Sequence, residues 1–156
     1  MGSDASATIC FGVLFDEYHE FPWGERDAEE WWIDEIHGYK PPFEIYDKQG
    51  GYLDGKKPTS KQVDEYYEHR RAFKEKYPLP VDFVYSGCDE SRITILAVPS
   101  SVIRTTWDEP KEFSAQKKSI QELGMYAEDI QKFKKFCEEY LDLNLELKWY
   151  LSAYYG

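Results

Sequence analysis

Cysteines and long hydrophobic runs are scarce in this chain of 156 residues. Three cysteines, Cys10, Cys88 and Cys137, are too few and odd in number for a disulfide framework, so we expect a reducing compartment. The longest apolar run, residues 9–15, is far shorter than the roughly twenty residues that a membrane-spanning helix needs. The N-terminus also lacks the basic-then-apolar pattern of a secretory signal. These absences exclude a disulfide scaffold and predict a cytoplasmic protein without membrane contact.

Basic residues are outnumbered by acidic ones, with 19 Lys and Arg against 30 Asp and Glu, which gives a net charge of −11. Because such a field repels phosphate backbones and anionic lipids, we do not expect direct binding to nucleic acid or to a membrane. Hydrophobic residues make up 42% of the chain and aromatic residues 17%, which favours folding over disorder. The length suits one domain, so we predict a single acidic domain over residues 1–156, with the oligomeric state left open.

Strand-like and helix-like periodicities alternate along the chain. Strands are predicted over residues 7–15, 81–85, 92–98, 102–107 and 145–154, and a short hairpin over residues 43–53. Helices are predicted over residues 28–37, 60–76 and 127–140, with a helical turn near 117–123. This order predicts an α+β fold with a largely antiparallel sheet and about three helices. Cys10 and Cys137 are expected in the core, and Trp149 and Leu151 on the buried face of the last strand.

Acidic side chains concentrate near the N-terminus. Residues 1–37 hold ten acids and one base, a net charge of −9, whereas residues 38–88 sum to +1 and residues 89–156 to −3. Two interpretations are open: a solvated face with acids favourably placed at a helix N-terminus, or a partner-binding surface that imitates nucleic-acid phosphates. In the partner-binding interpretation, a tryptophan side chain among these acids would add apolar area that anchors the partner. Its predicted contact residues are Asp16, Glu17, Glu20, Trp23, Glu25, Asp27, Glu29, Glu30, Asp34 and Glu35.

No specific catalytic or cofactor motif is present. Asp16, Glu17, His19 and Glu20 form the densest group of potential metal ligands, but their spacing matches no established metal site. Cys88 is expected on an exposed turn, where its neighbours Asp89 and Glu90 oppose formation of a nucleophilic thiolate. We therefore predict no catalytic residue, no metal and no cofactor, and hence a protein that is not an enzyme.

Two further patterns have alternative interpretations. The helix over residues 60–76 carries one basic cluster with interleaved aromatics, as RNA-binding helices do. Acids share that helix, so we expect a solvated helix with ion pairs such as Glu65 with His69 and Arg71 with Glu75. The chain also has 13 tyrosines and five tryptophans, whose flat rings would suit a sugar-binding face, although many lie at core-like positions.

Several short sequence segments are distinctive in their combination of aromatic, proline and glycine residues: ATICFGVLF, EFPWG, EEWW followed by GYKPPFEIYD, EHRRAF, PLPV, ITILAVP and KWYLSAYYG. In these aromatic, proline and glycine landmarks the chain resembles a family of small proteins encoded by tailed bacteriophages. The resemblance transfers no catalytic residue. It implies a context in which small acidic phage proteins bind and inhibit host proteins, including defence nucleases and transcription machinery.

Composition, acidic segment and resemblance together predict a non-enzymatic phage protein of the host cytoplasm. Its partner would be a host nucleic-acid-handling or defence protein with a basic surface, which it would inhibit as a nucleic-acid mimic. The first alternative is a small enzyme or ligand-binding domain that uses residues 16–20, with a pocket converging on His19. The second is a component of the virion or of its assembly.

Overall fold

The computed structural model describes residues 5–16, 18–88, 91–106, 127–142 and 146–155. The chain divides into two compact units. Met1–Pro22 together with Pro80–Gly156 form the first, here called the sheet unit, and Trp23–Leu79 form the second, the helical unit. The predicted α+β class with a largely antiparallel sheet is confirmed. The single domain over residues 1–156 stays a prediction.

The described part of the sheet unit contains five strands and one helix: β1 Ala5–Phe15, β2 Asp82–Cys88, β3 Ser91–Ala97, β4 Ile103–Thr106, β5 Lys148–Tyr155 and α3 Ala127–Leu141. The strand order is β3-β2-β5-β1-β4, and β1 pairs in addition with β3. All of these pairings are antiparallel except that of β2 with β5. One edge of β1 is occupied by β5 and the other by β4 and β3 in succession. Strands β1, β5, β2 and β3 therefore close into a ring.

A turn lets β3 and β4 share one edge of β1. The 3-10 turn Pro99–Ser101 separates the two strands. Ser101 is buried, and its Oγ accepts a hydrogen bond of 2.9 Å from the backbone N–H of Phe11. The N–H of Val98 donates to the carbonyl of Phe11, also at 2.9 Å. A side chain thus satisfies the backbone of β1 where the ladder is interrupted.

The interior of the ring is mainly apolar. Cys10, Val84, Ile95 and Ala97 are buried together there, with Val102 and Tyr150 packed against them. Burial raises the pKa of the Cys10 thiol to about 11, and burial likewise raises the pKa of Cys137 on α3 to about 12. The prediction that Cys10 and Cys137 are core residues is confirmed.

The predicted buried face of the last strand is wrong. Trp149 is 43% exposed and Leu151 78%, whereas Ser152 is only 3% exposed. Ser152 lies opposite Thr8 of β1 and therefore on the interior side, where its hydroxyl donates to the Tyr85 carbonyl at 2.9 Å. This hydrogen bond makes burial of the serine tolerable, so Ser152 shares the inward face with Tyr150, whereas Trp149 and Leu151 face outward.

The helical unit contains α1 Ala28–Trp31, which continues as the π-helical turn Trp32–Ile36, and α2 Ser60–Lys76. Asp27 caps α1, as its Oδ1 accepts from the N–H groups of Glu29 and Glu30 at 2.9 and 3.0 Å. Both helices have the predicted extent to within one residue. The buried side chains of α1 and its π-helical continuation are Ala28, Trp31 and Ile33. The wider π-helical winding affects which of the following residues face the core.

The predicted hairpin over residues 43–53 is reduced to one isolated antiparallel bridge, between Tyr46 and Tyr52. Asp47 shapes the turn, because its Oδ1 accepts from the N–H groups of Gln49 at 2.8 Å and Gly51 at 2.9 Å. Across the turn, the N–H of Asp47 donates to the Gly51 carbonyl at 2.8 Å and the N–H of Leu53 to the Ile45 carbonyl at 3.1 Å. Trp107, the predicted turn near 117–123, and Leu145 lie outside the described residues.

We predict that Gly12→Ala destabilises the sheet unit. A Cβ at residue 12 would lie 2.0 Å from the carbonyl oxygen of Leu96, which is backbone and cannot swing aside. The free energy of unfolding, measured by urea titration, should fall by about 1–3 kcal/mol. As a control, Ala153→Ser at an exposed position of β5 should change it by less than about 0.5 kcal/mol. Equal stability of the two variants would contradict the close approach of β1 and β3.

Candidate functional site

The ten predicted contact residues are divided between the two units. Asp16 and Glu20 belong to the sheet unit, and Glu17 lies outside the described residues. The other seven belong to the helical unit: Trp23, Glu25, Asp27, Glu29, Glu30, Asp34 and Glu35.

The loop after β1 exposes Asp16, Glu20 and Tyr18, the last with 82% of its surface accessible. Asp16 Oδ1 accepts from the N–H of Tyr18 at 3.0 Å. The His19 ring packs against Phe15 and Phe21, with centroids 4.5 and 4.8 Å away. His19 therefore contributes to aromatic packing. Across the described residues, no group of three His, Cys, Asp or Glu side chains is placed to hold a metal ion.

In the helical unit, two bases of α2 bind the acids of α1 and its π-helical continuation. Lys74 Nζ lies 2.9 Å from Glu29 Oε2 and 2.8 Å from Glu30 Oε1. Arg70 pairs with Glu30 and, at 3.2 Å, with Asp34. Arg26 adds pairs with Asp34, at 3.6 Å, and with Glu35. We call this set of seven residues the ion-pair cluster: Arg26, Glu29, Glu30, Asp34, Glu35, Arg70 and Lys74.

The α2 bases of the ion-pair cluster are more buried than the acids. The side chains of Arg70 and Lys74 are 18% and 26% exposed, whereas those of Glu29 and Glu35 are 50% and 56% exposed. Burial acts to raise the pKa of Glu30, but hydrogen bonds from Lys74 and Arg70 outweigh it and hold that pKa below its usual value. Burial acts to lower the pKa of Lys74, and its pairs with Glu30 and Glu29 reverse the direction and raise it. Glu30 and Lys74 are therefore both ionised at neutral pH.

Sequence reasoning missed the role of Arg70 and Lys74, which were expected in a solvated basic cluster. On α2, Glu65 pairs with Lys61 at 3.8 Å and Arg71 pairs with Glu68, instead of the expected partners His69 and Glu75. The regional charges contained a signal for the missed contacts. The segment with a net charge of −9 is followed by a segment with a net charge of +1 that contains both Arg70 and Lys74. Electrostatic attraction between the two segments could have been predicted from this difference.

Two of the predicted contact residues have structural roles. Trp23 is 7% exposed, and its ring centroid lies 5.6 Å from that of Trp31, so the indole belongs to the core of the helical unit. Asp27 is occupied by capping α1. Of the acids in this segment, Glu25, Glu29 and Glu35 are the exposed ones that do not cap the helix.

His37 sits between two aromatic rings of the helical unit. Its ring stacks on Tyr77 with centroids 4.3 Å apart, and it meets Trp32 edge-on at 4.6 Å. Trp32 Nε1 donates to the Tyr77 carbonyl at 3.1 Å and so fixes this arrangement. Within the described ranges, His37 Nε2 is buried and has no hydrogen-bond partner. Burial lowers the pKa of His37, which therefore stays neutral at pH 7.

A cavity of about 460 Å³ opens in the helical unit and is lined by Pro41, residues 44–48, Leu53 and Tyr66. None of its lining residues comes from the loop at residues 16–20, so this cavity does not converge on His19 as the ligand-binding alternative expected. Cys88 is exposed at the end of β2, as predicted.

No protein family, curated protein or solved structure matches the chain. The resemblance to tailed-phage proteins therefore stays a prediction. In the part of the chain that the structure describes, no helix is both long and apolar enough to cross a membrane.

We predict that Arg70→Met destabilises the helical unit more than Arg71→Met does. The mostly buried Arg70 joins two acids, and its loss leaves Glu30 and Asp34 facing each other with less compensation. The free energy of unfolding should fall by about 1–2 kcal/mol for Arg70→Met and by less than about 0.5 kcal/mol for the exposed Arg71. Thermal and urea unfolding measure both. Equal losses would show that the ion-pair cluster does not stabilise the fold.

We predict that His37 makes the protein less stable in mild acid. Because the folded-state pKa lies below 6.5, the ordinary value, the unfolded chain binds the proton more readily and stability falls as the pH drops through 6.5. His37→Phe, which keeps the aromatic stacking, should remove this part of the pH dependence in urea titrations. The control His69→Gln should retain it. An unchanged dependence in His37→Phe would contradict the prediction.

Proposed function

We propose that the protein is a non-enzymatic interaction protein that inhibits a host nucleic-acid-handling or defence protein in the host cytoplasm. What supports this proposal is the arrangement of the ion-pair cluster. The carboxylates of Glu29, Glu30 and Asp34 lie outward of Arg70 and Lys74, the more buried bases that hold them in place. A partner would therefore meet an ordered acidic surface.

The acidic surface keeps an excess of negative charge after internal pairing. Between Glu25 and Glu35 there are six acids, and three bases contact them: Arg26, Arg70 and Lys74. The excess over these residues is therefore three negative charges between Glu25 and Glu35. Such a field attracts a basic partner and accelerates association at low salt.

The order of these carboxylates favours tight binding. A free glutamate loses rotamer freedom when a partner immobilises it, at a cost of roughly 0.5–1.5 kcal/mol per side chain. Glu29 and Glu35 are already held by Lys74 and Arg26, so much of this cost is met during folding. Ordered carboxylates at fixed spacing also suit a surface built to bind phosphates, which is the basis for mimicry of nucleic acid.

The test removes exposed carboxylates without dismantling the cluster. In the combined variant Glu25→Gln, Glu29→Gln, Glu35→Gln, the bases Lys74 and Arg26 keep Glu30 and Asp34 as partners. The control Asp64→Asn, Glu65→Gln, Glu75→Gln removes as many exposed charges from α2. Each immobilised protein is exposed to a bacterial lysate, and retained proteins are quantified by mass spectrometry.

We expect the wild type and the control to retain basic nucleic-acid-handling proteins that both salt and duplex DNA release. The Glu25, Glu29, Glu35 variant should retain several-fold less of them, because binding depends on those charges. Equal retention by the two variants would contradict the assignment of the surface. Retained proteins that DNA does not displace would contradict mimicry.

A further inference from the structure

The cavity in the helical unit has the size of a small-molecule site and is open to solvent on one side. Its volume of about 460 Å³ falls within the range of roughly 300–1,000 Å³ that ligand pockets occupy. The lining includes Pro41, Glu44, Ile45, Tyr46, Lys48 and Tyr66. Neither the acidic surface nor the ion-pair cluster contributes to it, so the cavity is independent of the proposed function.

Two tyrosine rings form walls that are fixed before any ligand arrives. The rings of Tyr46 and Tyr66 are nearly perpendicular, at 84°, with centroids 6.1 Å apart. Tyr52 stacks on Tyr46 at 6.1 Å, and the hydroxyls of Tyr46 and Tyr67 lie 3.3 Å apart. Ring and hydroxyl contacts therefore hold Tyr46 from two directions. A preformed aromatic wall loses little conformational freedom on binding.

The polar groups around the rings have opposite charges. Glu44 supplies an acceptor and Lys48 a donor, and both side chains are exposed. Asp47 also lines the cavity, but its Oδ1 already accepts from the N–H groups of Gln49 and Gly51 and so shapes the loop. Ile45, which is 5% exposed, adds an apolar surface next to these groups.

We propose that this cavity binds a neutral pyranose sugar. The apolar C–H face of a pyranose packs flat on an aromatic ring, which is the surface that Tyr46 and Tyr66 provide. Its hydroxyls both donate and accept, so one ring can use the Glu44 carboxylate and the Lys48 ammonium together. An organic cation would meet Lys48, and an anion would meet Glu44 and Asp47. A neutral polyol is the ligand class that all of these groups favour.

The test is an NMR titration of the isotope-labelled full chain with the methyl glycosides of glucose, galactose and mannose. Choline and acetate serve as cationic and anionic probes. We expect at least one glycoside to shift the signals of residues 44–48, 53 and 66 in a saturable way. The charged probes should shift these signals less at the same concentration.

A matched pair of variants locates the binding. Glu44→Ala removes the carboxylate from an exposed position and should weaken glycoside binding by roughly tenfold, as expected for loss of a hydrogen bond to a charged group. Glu65→Ala removes an equally exposed carboxylate from α2, outside the cavity, and should bind like the wild type. Unfolding midpoints of both variants show that the fold is kept.

Three results would overturn the proposal. The first is the absence of saturable shifts with all three glycosides. The second is tighter binding of choline or acetate, which would assign the cavity to a charged ligand. The third is equal glycoside affinity of the Glu44→Ala and Glu65→Ala variants. Because none of these outcomes involves Glu25, Glu29 or Glu35, failure here leaves the proposed inhibitory function standing.

Discussion

Charge pairing between α2 and the acidic segment is the interaction on which the helical unit depends. α2 contains no fully buried residue, so an apolar core does not by itself hold it. Its half-buried Arg70 and Lys74 instead engage Glu29, Glu30 and Asp34. Removing bases from water is unfavourable unless partners compensate, and the carboxylates are those partners. The acidic segment is thus part of the fold as well as a candidate surface. Substitution of Glu30 or Asp34 would therefore change both the stability of the helical unit and the binding of a partner.

The parts of the fold that depend on local chemistry could be predicted from the sequence. Asp27 and Thr59 cap their helices through hydrogen bonds to residues two or three positions away, and such spacing is legible in a sequence. The partner of Arg70 could not be identified in this way, because Glu30 lies 40 positions earlier and the helix offers closer acids. The burial of Trp23 was missed for a related reason. A tryptophan beside acids looks like an interface residue until the position of Trp31 is known.

The buried face of β5 was predicted wrongly for a different reason. Alternation assigned its apolar residues to the core, but inward and outward faces of β5 are set by its register with β1. Ser152 is acceptable inside because the Tyr85 carbonyl accepts its hydrogen, a partner supplied by another strand. The closure of the ring was likewise beyond the reach of periodicity, since it requires β1 to pair along both edges. Hydrophobic alternation identified the strand and could not determine its orientation.

The ring also imposes an order of events on a chain being synthesised. Ser6 of β1 pairs with Tyr154 of β5, so the ladder of β1 cannot be completed until a residue 148 positions later has been synthesised. All residues of the helical unit, Trp23–Leu79, are synthesised before β5 begins at Lys148. Pairings between distant residues form slowly, and unpaired strand edges are exposed in the interval. β1 therefore leaves the ribosome before the helical unit, and the ring cannot close until β5 has been made. The edge of β1 that pairs with β5 stays unpaired throughout this interval, which is when it needs protection from neighbouring chains.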